Sequence, residues 1–262
     1  MSKGTVLIVG SNATRIALQG GGTAEIGQYL NETVVPAMAL IDAGYRVVLA
    51  TPDGTKPHID AASDSADHFG GDAAAYARAK DFYATDPAIN QVRTLRSVVA
   101  DGLDDYAGVF VPGGHAPIVD LMDDSDVGTI LRHAHAHAKP TAALCHGPVA
   151  LVAALPRAAE VRAALAAGDD AQAAALGEGW IYAGYAMTVF SASEEAVAEE
   201  HLLHGRLPFD MPQALWAGGG VVGAATEDFA AHVVVDRELI TGQNPASDHQ
   251  LAARFIAALD AA

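Results

Sequence analysis

The chain has one cysteine in 262 residues, Cys145, so no internal disulfide can form and a single thiol has to be explained. Positive charge is also scarce: 15 Lys and Arg stand against 32 Asp and Glu, a formal net charge of −17. Nucleic acid and anionic membrane surfaces both need a basic footprint, so neither is expected as a partner. No apolar run reaches the roughly 18 residues of a membrane helix, and no charged-then-apolar leader precedes a cleavage site. A soluble cytoplasmic protein is the expectation. Nucleotide fingerprints are missing too. Gly20-Gly21-Gly22 is followed by no Lys-Ser/Thr pair and does not meet GxGxxG spacing, so it reads as a flexible loop near the functional site and no cofactor is expected.

What is present suits one sizeable α/β core, about half of the residues being hydrophobic. Continuous apolar runs at Thr5–Gly10, Arg46–Thr51 and Tyr106–Val111 predict parallel strands covered on both faces. Tyr29 to Ala43 reads as a helix with Leu30, Val34, Met38 and Ile41 on one face, and Pro36 is expected to kink it or mark its start. Further helices are expected over 73–83 and 126–139, and from Ser193 to Leu203. Residues 212–229 read as a helix broken by Gly218-Gly219-Gly220. A hairpin over 232–241 precedes the last helix. The alanine-rich stretch within 156–185 reads as a small helical cap or insertion in a single domain spanning 1–262.

The centre of the chain is PTAALCHGPVAL, 140–151. A buried strand turns there directly into a helix, which places Cys145 at the corner beside outward-pointing N–H groups. Those surroundings predict an exposed thiol that favours its thiolate. A lone cysteine in an apolar stretch is more often an inert core residue, and the following His146-Gly147-Pro148 tips the balance toward chemistry. Pro112-Gly113-Gly114-His115 ends another strand, where a backbone N–H can complement that of His146 as a pair of oxyanion donors. On position alone Glu25 and Glu32 both compete as the carboxylate after the first strand. Helix 126–139 carries His133 and His137 at metal-ligand spacing with no third ligand adjacent, so no metal is expected.

ALCHGP and VPGGHAP together resemble the DJ-1/PfpI superfamily, specifically its Hsp31-like branch of glyoxalase III and chaperone proteins. Matches also fall in 27–54, 187–195 and 238–249, so the resemblance runs nearly end to end. It implies a flavodoxin-like, doubly wound parallel sheet sandwiched by helices, with no cofactor, and a homodimer. Gly27, Tyr29, Glu32 and Pro36 fall at the spacing that carries the family's active-site glutamate, which favours Glu32. The resemblance favours Glu195 over its neighbour Glu194 as the acid that orients the histidine. Cys145 is then the nucleophile and His146 its acid-base neighbour, with Gly114, His115 and His146 around the substrate oxygen. Where the family often has glycine after that histidine, this chain has Ala116.

The implied activity is a glutathione-independent glyoxalase acting on a small aldehyde, methylglyoxal or a related 2-oxoaldehyde, to give a 2-hydroxy acid such as D-lactate. The alternatives are a cysteine-dependent amidase, peptidase or deglycase, and a non-enzymatic holdase chaperone or redox sensor. A sensor needs a low-pKa, accessible thiol, and a chaperone needs an exposed apolar patch.

Overall fold

The computed structural model describes residues 2–262. Its frame is a seven-stranded sheet. From edge to edge the strands are Val233–Asp236, Leu239–Gly242, Thr141–Leu144, Tyr106–Val111, Thr5–Val9, Arg46–Thr51 and Arg93–Thr94. All neighbours pair in parallel except the Val233–Asp236/Leu239–Gly242 hairpin at one edge. The central strands are apolar at successive positions because both faces are covered. Leu7, Val9, Val109 and Val111 join one core, and Val6, Ile8, Phe110 and Leu144 join the core on the other face. This is the doubly wound, flavodoxin-like arrangement that the sequence predicts, and it gathers the carboxyl ends of the strands on one side.

Several segments differ from expectation. The chain after Leu144 enters a 3-10 helix, Gly147–Ala154, whose every residue is buried. A Cβ on Gly147 would lie 2.4 Å from the Val111 carbonyl, so only glycine lets this helix start so close to the neighbouring strand. The helix expected over 212–229 is only Met211–Ala217. It stops where the Gly218 Cα packs against the Trp180 ring, a Cβ there falling 2.4 Å from Cε3, and Val221–Val222 then pairs with Ala186–Met187 as a short ribbon. That close approach accounts for Gly218, and the left-handed φ of 88° accounts for Gly219. The helix from Ala192 passes at Glu199 into a π-helical turn, Glu199–Leu203, that closes at His204 in a left-handed conformation.

The helix Leu30–Asp42 continues through Pro36 instead of starting at it. The 156–185 stretch forms two helices, Ala158–Ala166 and Asp170–Gly177. They pack on Met211–Ala217 and the 3-10 helix through Val161, Leu165, Ala173 and Leu176. They are part of the larger core, not a lid. Gly20-Gly21-Gly22 is the exposed tip of a two-stranded hairpin, Arg15–Ala17 with Thr23–Glu25. That tip is held by Arg206, whose carbonyl accepts from Gln19, and does not line the functional cavity.

Candidate active site

The strand-to-helix corner forces Cys145 into the left-handed region, φ 58°, which a non-glycine residue rarely adopts. Two main-chain bonds hold it there. The Cys145 N–H donates to the Gly242 carbonyl at 2.8 Å, and its own carbonyl accepts from Phe190 at 3.0 Å. Across the thiol, Gly113 is wedged between Leu144 and Cys145, where any Cβ would meet the Leu144 carbonyl at 2.5 Å and Glu32 Oε2 at 2.6 Å. The bare backbone lets Gly113 N–H reach Glu32 Oε2 at 3.0 Å, while Gly114 N–H points at the Cys145 sulfur. Ala116 sits in ordinary right-handed helical conformation, so its methyl group costs no strain.

Glu32 lies in the first turn of Leu30–Asp42 and is fully buried. The loop after Lys56, a weak pattern in the sequence, sets that turn in place. Ser63 Oγ accepts from Leu30 N–H at 3.0 Å, and Asp60 Oδ2 accepts from Gly27 N–H at 3.0 Å. Burial raises the Glu32 carboxyl to about 8, against the lowering pull of its hydrogen bonds with the Cys145 thiol and Gly113. Its second oxygen, Oε1, is among the buried atoms without a hydrogen-bond partner in the described residues. Glu25 is not brought to the site: it is exposed and pairs with Arg15 at 3.5 Å.

On the other side of the sulfur, His146 Nδ1 stands 3.2 Å from Sγ. Its Nε2 meets Glu195 Oε2 at 2.8 Å, and His115 Nε2 meets Glu195 Oε1 at 3.0 Å. Burial would raise the Glu195 carboxyl, but the two imidazoles on it hold it well below the usual carboxylate range. An ionised carboxylate only accepts, so each histidine presents Nε2–H to it, which leaves His146 Nδ1 with its lone pair facing the thiol. Burial and the neighbouring His115 push the His146 pKa down, which keeps that ring neutral.

His115 therefore spends its Nε2–H on Glu195 and packs on His146 at 4.2 Å between ring centroids, an orienting contact beside the substrate cavity. Glu194 faces away. Its oxygens accept from Ser191, Phe229 and Asn244, and none contacts His146.

The expected exposed thiolate is corrected by the structure. Cys145 is 1% exposed; burial first, and the Glu32 carboxylate second, push its thiol well above the ordinary range, with Gly114 N–H the main opposing contact. A cavity of about 240 Å³ opens onto this thiol, lined next to it by Tyr29, His115, His146 and Phe190 and farther out by Val197, Leu202 and Phe229.

Two sets of side chains have metal-ligand character. The buried one, His115, His146 and Glu195, is already satisfied by its own hydrogen bonds. The other corrects the reading that His133 and His137 lack a third ligand: Asp104, from the turn before Tyr106, lies 3.4 Å from His133 Nε2. No helix among the described residues is long and apolar enough to cross a membrane.

Comparison with known proteins agrees with this fold. The model of the DJ-1/PfpI family matches residues 27–157. A Staphylococcus aureus protein named protein/nucleic acid deglycase HchA is 28% identical over 255 residues, covering 95% of this chain and 77% of that one. Among solved structures, the Francisella tularensis Rapid Encystment Protein 24 kDa superposes with a TM-score of 0.73 at 21% identity, over 98% of this chain and 99% of its own. Glyoxalase III from Candida albicans superposes with a TM-score of 0.68 at 19% identity, over 98% of this chain and 97% of its own. At those identities the two structures establish the shared fold alone.

Proposed function

This chain belongs to the DJ-1/PfpI family, and we propose that it is a glutathione-independent glyoxalase that converts a 2-oxoaldehyde such as methylglyoxal to a 2-hydroxy acid. One observation carries the reading. The Cys145 sulfur is flanked by a neutral imidazole lone pair, His146 Nδ1 at 3.2 Å, and by a buried carboxyl whose pKa is raised to about 8. That is a nucleophile between two proton carriers of different basicity. Similarity to proteins named deglycase supports chemistry of this class.

The steps balance without an electron carrier. Sγ attacks the aldehyde carbon while His146 Nδ1 takes the thiol proton and passes it to the aldehyde oxygen, giving a hemithioacetal. Gly114 N–H, the backbone donor next to the sulfur, is assigned to the charge that develops on that oxygen. Glu32, as carboxylate, removes the C1 hydrogen to form an enediolate and returns that proton to C2, while the C1 hydroxyl proton passes to the C2 oxygen by way of His146 Nδ1, so that C1 becomes the carbonyl and C2 the carbinol. The result is a 2-hydroxy thioester on Cys145, which water hydrolyses to the acid and the free thiol. Carbon 1 is oxidised and carbon 2 reduced within one molecule.

Purified protein mixed with methylglyoxal without glutathione is expected to form D-lactate; no lactate would overturn the proposal. The raised Glu32 pKa gives the reaction a pH signature. The base must be unprotonated, so kcat/KM should climb about tenfold per pH unit toward a plateau above about 8. A profile flat from pH 6 to about 9 would remove Glu32 from the proton transfer. Glu195→Gln should lower turnover less than Glu32→Gln does, because Glu195 touches His146 and His115 and not the thiol. A loss as large as that of Glu32→Gln would contradict these roles.

The alternatives have less support. A redox sensor needs an accessible, acidic thiol, and Cys145 is buried with its pKa raised. The relatives' name favours one variant, in which the aldehyde arrives as an adduct on protein or nucleic acid. Lactate release from such an adduct with free aldehyde scavenged would test it.

A further inference from the structure

The outer part of the active-site cavity is built unlike its inner part. Next to the thiol the walls are polar: Tyr29, His115 and His146. Farther out, beyond Phe190, stand the partly exposed Val197, Leu202 and Phe229, and no Lys or Arg is among the lining residues. The basic side chains along it, His68 and His201 included, are histidines alone, so an anionic substituent would find no permanent counter-charge there. The volume of about 240 Å³ equals roughly eight waters at about 30 Å³ each, more than the five heavy atoms of methylglyoxal fill.

Two unusual pieces of backbone build these walls. Leu202 projects from the π-helical turn Glu199–Leu203, a rare geometry often found beside functional sites. Phe229 stands in the left-handed region at φ 60° and keeps nearly half of its surface exposed, a costly conformation for an aromatic residue on an open loop. It is held there by a buried clamp. Glu194 Oε1 accepts Phe229 N–H at 2.7 Å and Asn244 Nδ2 at 2.8 Å, and Asn244 Nδ2 also donates to the Ala230 carbonyl at 2.8 Å. The Glu194 side chain is wholly buried, and its other oxygen accepts from Ser191 N–H. The clamp sets Phe229 against Phe190 with ring centroids 6.3 Å apart at 58°, and Phe190 in turn stacks on His146 at 4.5 Å. A tilted aromatic pair of this kind accepts a third ring edge or face at favourable distance.

We propose that this wall is a specificity cleft for the side group of the substrate, and that the preferred 2-oxoaldehydes carry a neutral aromatic or branched apolar group in place of the methyl of methylglyoxal. The proposal rests on the glyoxalase reading. It assigns Phe229, Leu202 and Val197 to substrate selection, with Glu194 and Asn244 as positioning residues that hold Phe229 at the mouth.

The test compares phenylglyoxal with methylglyoxal. Wild type should show kcat/KM at least about tenfold higher for phenylglyoxal, since a single extra methylene in an apolar pocket is already worth about tenfold or more. Phe229→Ala should cut that ratio at least about tenfold, and Phe229→Leu, which keeps apolar bulk, should cut it less. A wild-type preference for methylglyoxal, or an unchanged ratio in Phe229→Ala, would overturn the cleft. A turnover-independent arm separates the two levels of the argument. 2-Hydroxyacetophenone and hydroxyacetone lack the aldehyde, and calorimetry should find the former bound at least about tenfold tighter by wild type, with that advantage reduced in Phe229→Ala. If neither aldehyde is turned over but this binding difference appears, the glyoxalase reading fails and the cleft stands. Equal binding of the two ketones overturns the cleft whatever the turnover.

Discussion

Cys145→Ser is expected to lower aldehyde turnover by more than about 10⁴-fold while leaving the fold intact, as removal of a covalent nucleophile typically does. The swap is close in size. The left-handed corner is held by the main-chain bonds to Gly242 and Phe190, neither of which involves the sulfur, so the backbone survives. What is lost is nucleophilicity, because an alcohol holds its proton far more tightly than a thiol and His146 is a weak base in this buried setting. Lactate formation checks the activity and circular dichroism checks the fold. Turnover near the wild-type value in a folded Cys145→Ser protein would exclude a thiol mechanism.

Glu32→Gln is expected to cost about 10²–10⁴-fold in turnover, the usual worth of a general base. Glutamine keeps the size of the side chain but cannot take the C1 hydrogen. The alkaline rise in kcat/KM should vanish with it. The same change should alter stability with a definite sign. Wild-type Glu32 holds its proton in the folded state up to about 8, while the unfolded carboxyl releases it near its ordinary value. Its contribution is thus full at acid pH, is lost progressively as pH rises toward about 8, and is constant above that. Denaturant unfolding should show a shallower loss of stability across this window in Glu32→Gln. An unchanged pH dependence of both activity and stability would mean that Glu32 does not carry the titrating proton.

The strands were legible because burial on both faces writes continuous apolar runs, and Arg46–Thr51 and Tyr106–Val111 end at the residues expected. The elbow itself was legible as a strand meeting a turn before Gly147-Pro148. The burial of its thiol was not, because groups that cover it come from distant stretches: Glu32, Gly113 and Phe190. A motif that is local in sequence reports the backbone of the corner and not the dielectric around it.

The choice between Glu194 and Glu195 needed the family spacing, and the structure shows why the pair is easily confused. Adjacent residues on one helical turn point about 100° apart. One carboxylate therefore reaches the two histidines and the other reaches Phe229 and Asn244. His115 read as an oxyanion group because it follows two glycines, yet its Nε2 is committed to Glu195, 80 residues away. The π-helical turn and the left-handed Phe229 left no signal in composition or periodicity. Both are conformations that tertiary contacts impose on the chain.

In the proposed mechanism Cys145 carries the substrate as a covalent thioester. Wild-type protein mixed with excess methylglyoxal, quenched in acid within one turnover and digested, is expected to yield the peptide containing Cys145 heavier by one aldehyde. Neutral hydroxylamine should release that mass as a hydroxamate, a reaction of a thioester and not of a hemithioacetal. Lactate appearing in the same samples while the Cys145 peptide stays unmodified, or carries only a hydroxylamine-resistant adduct, would contradict the account.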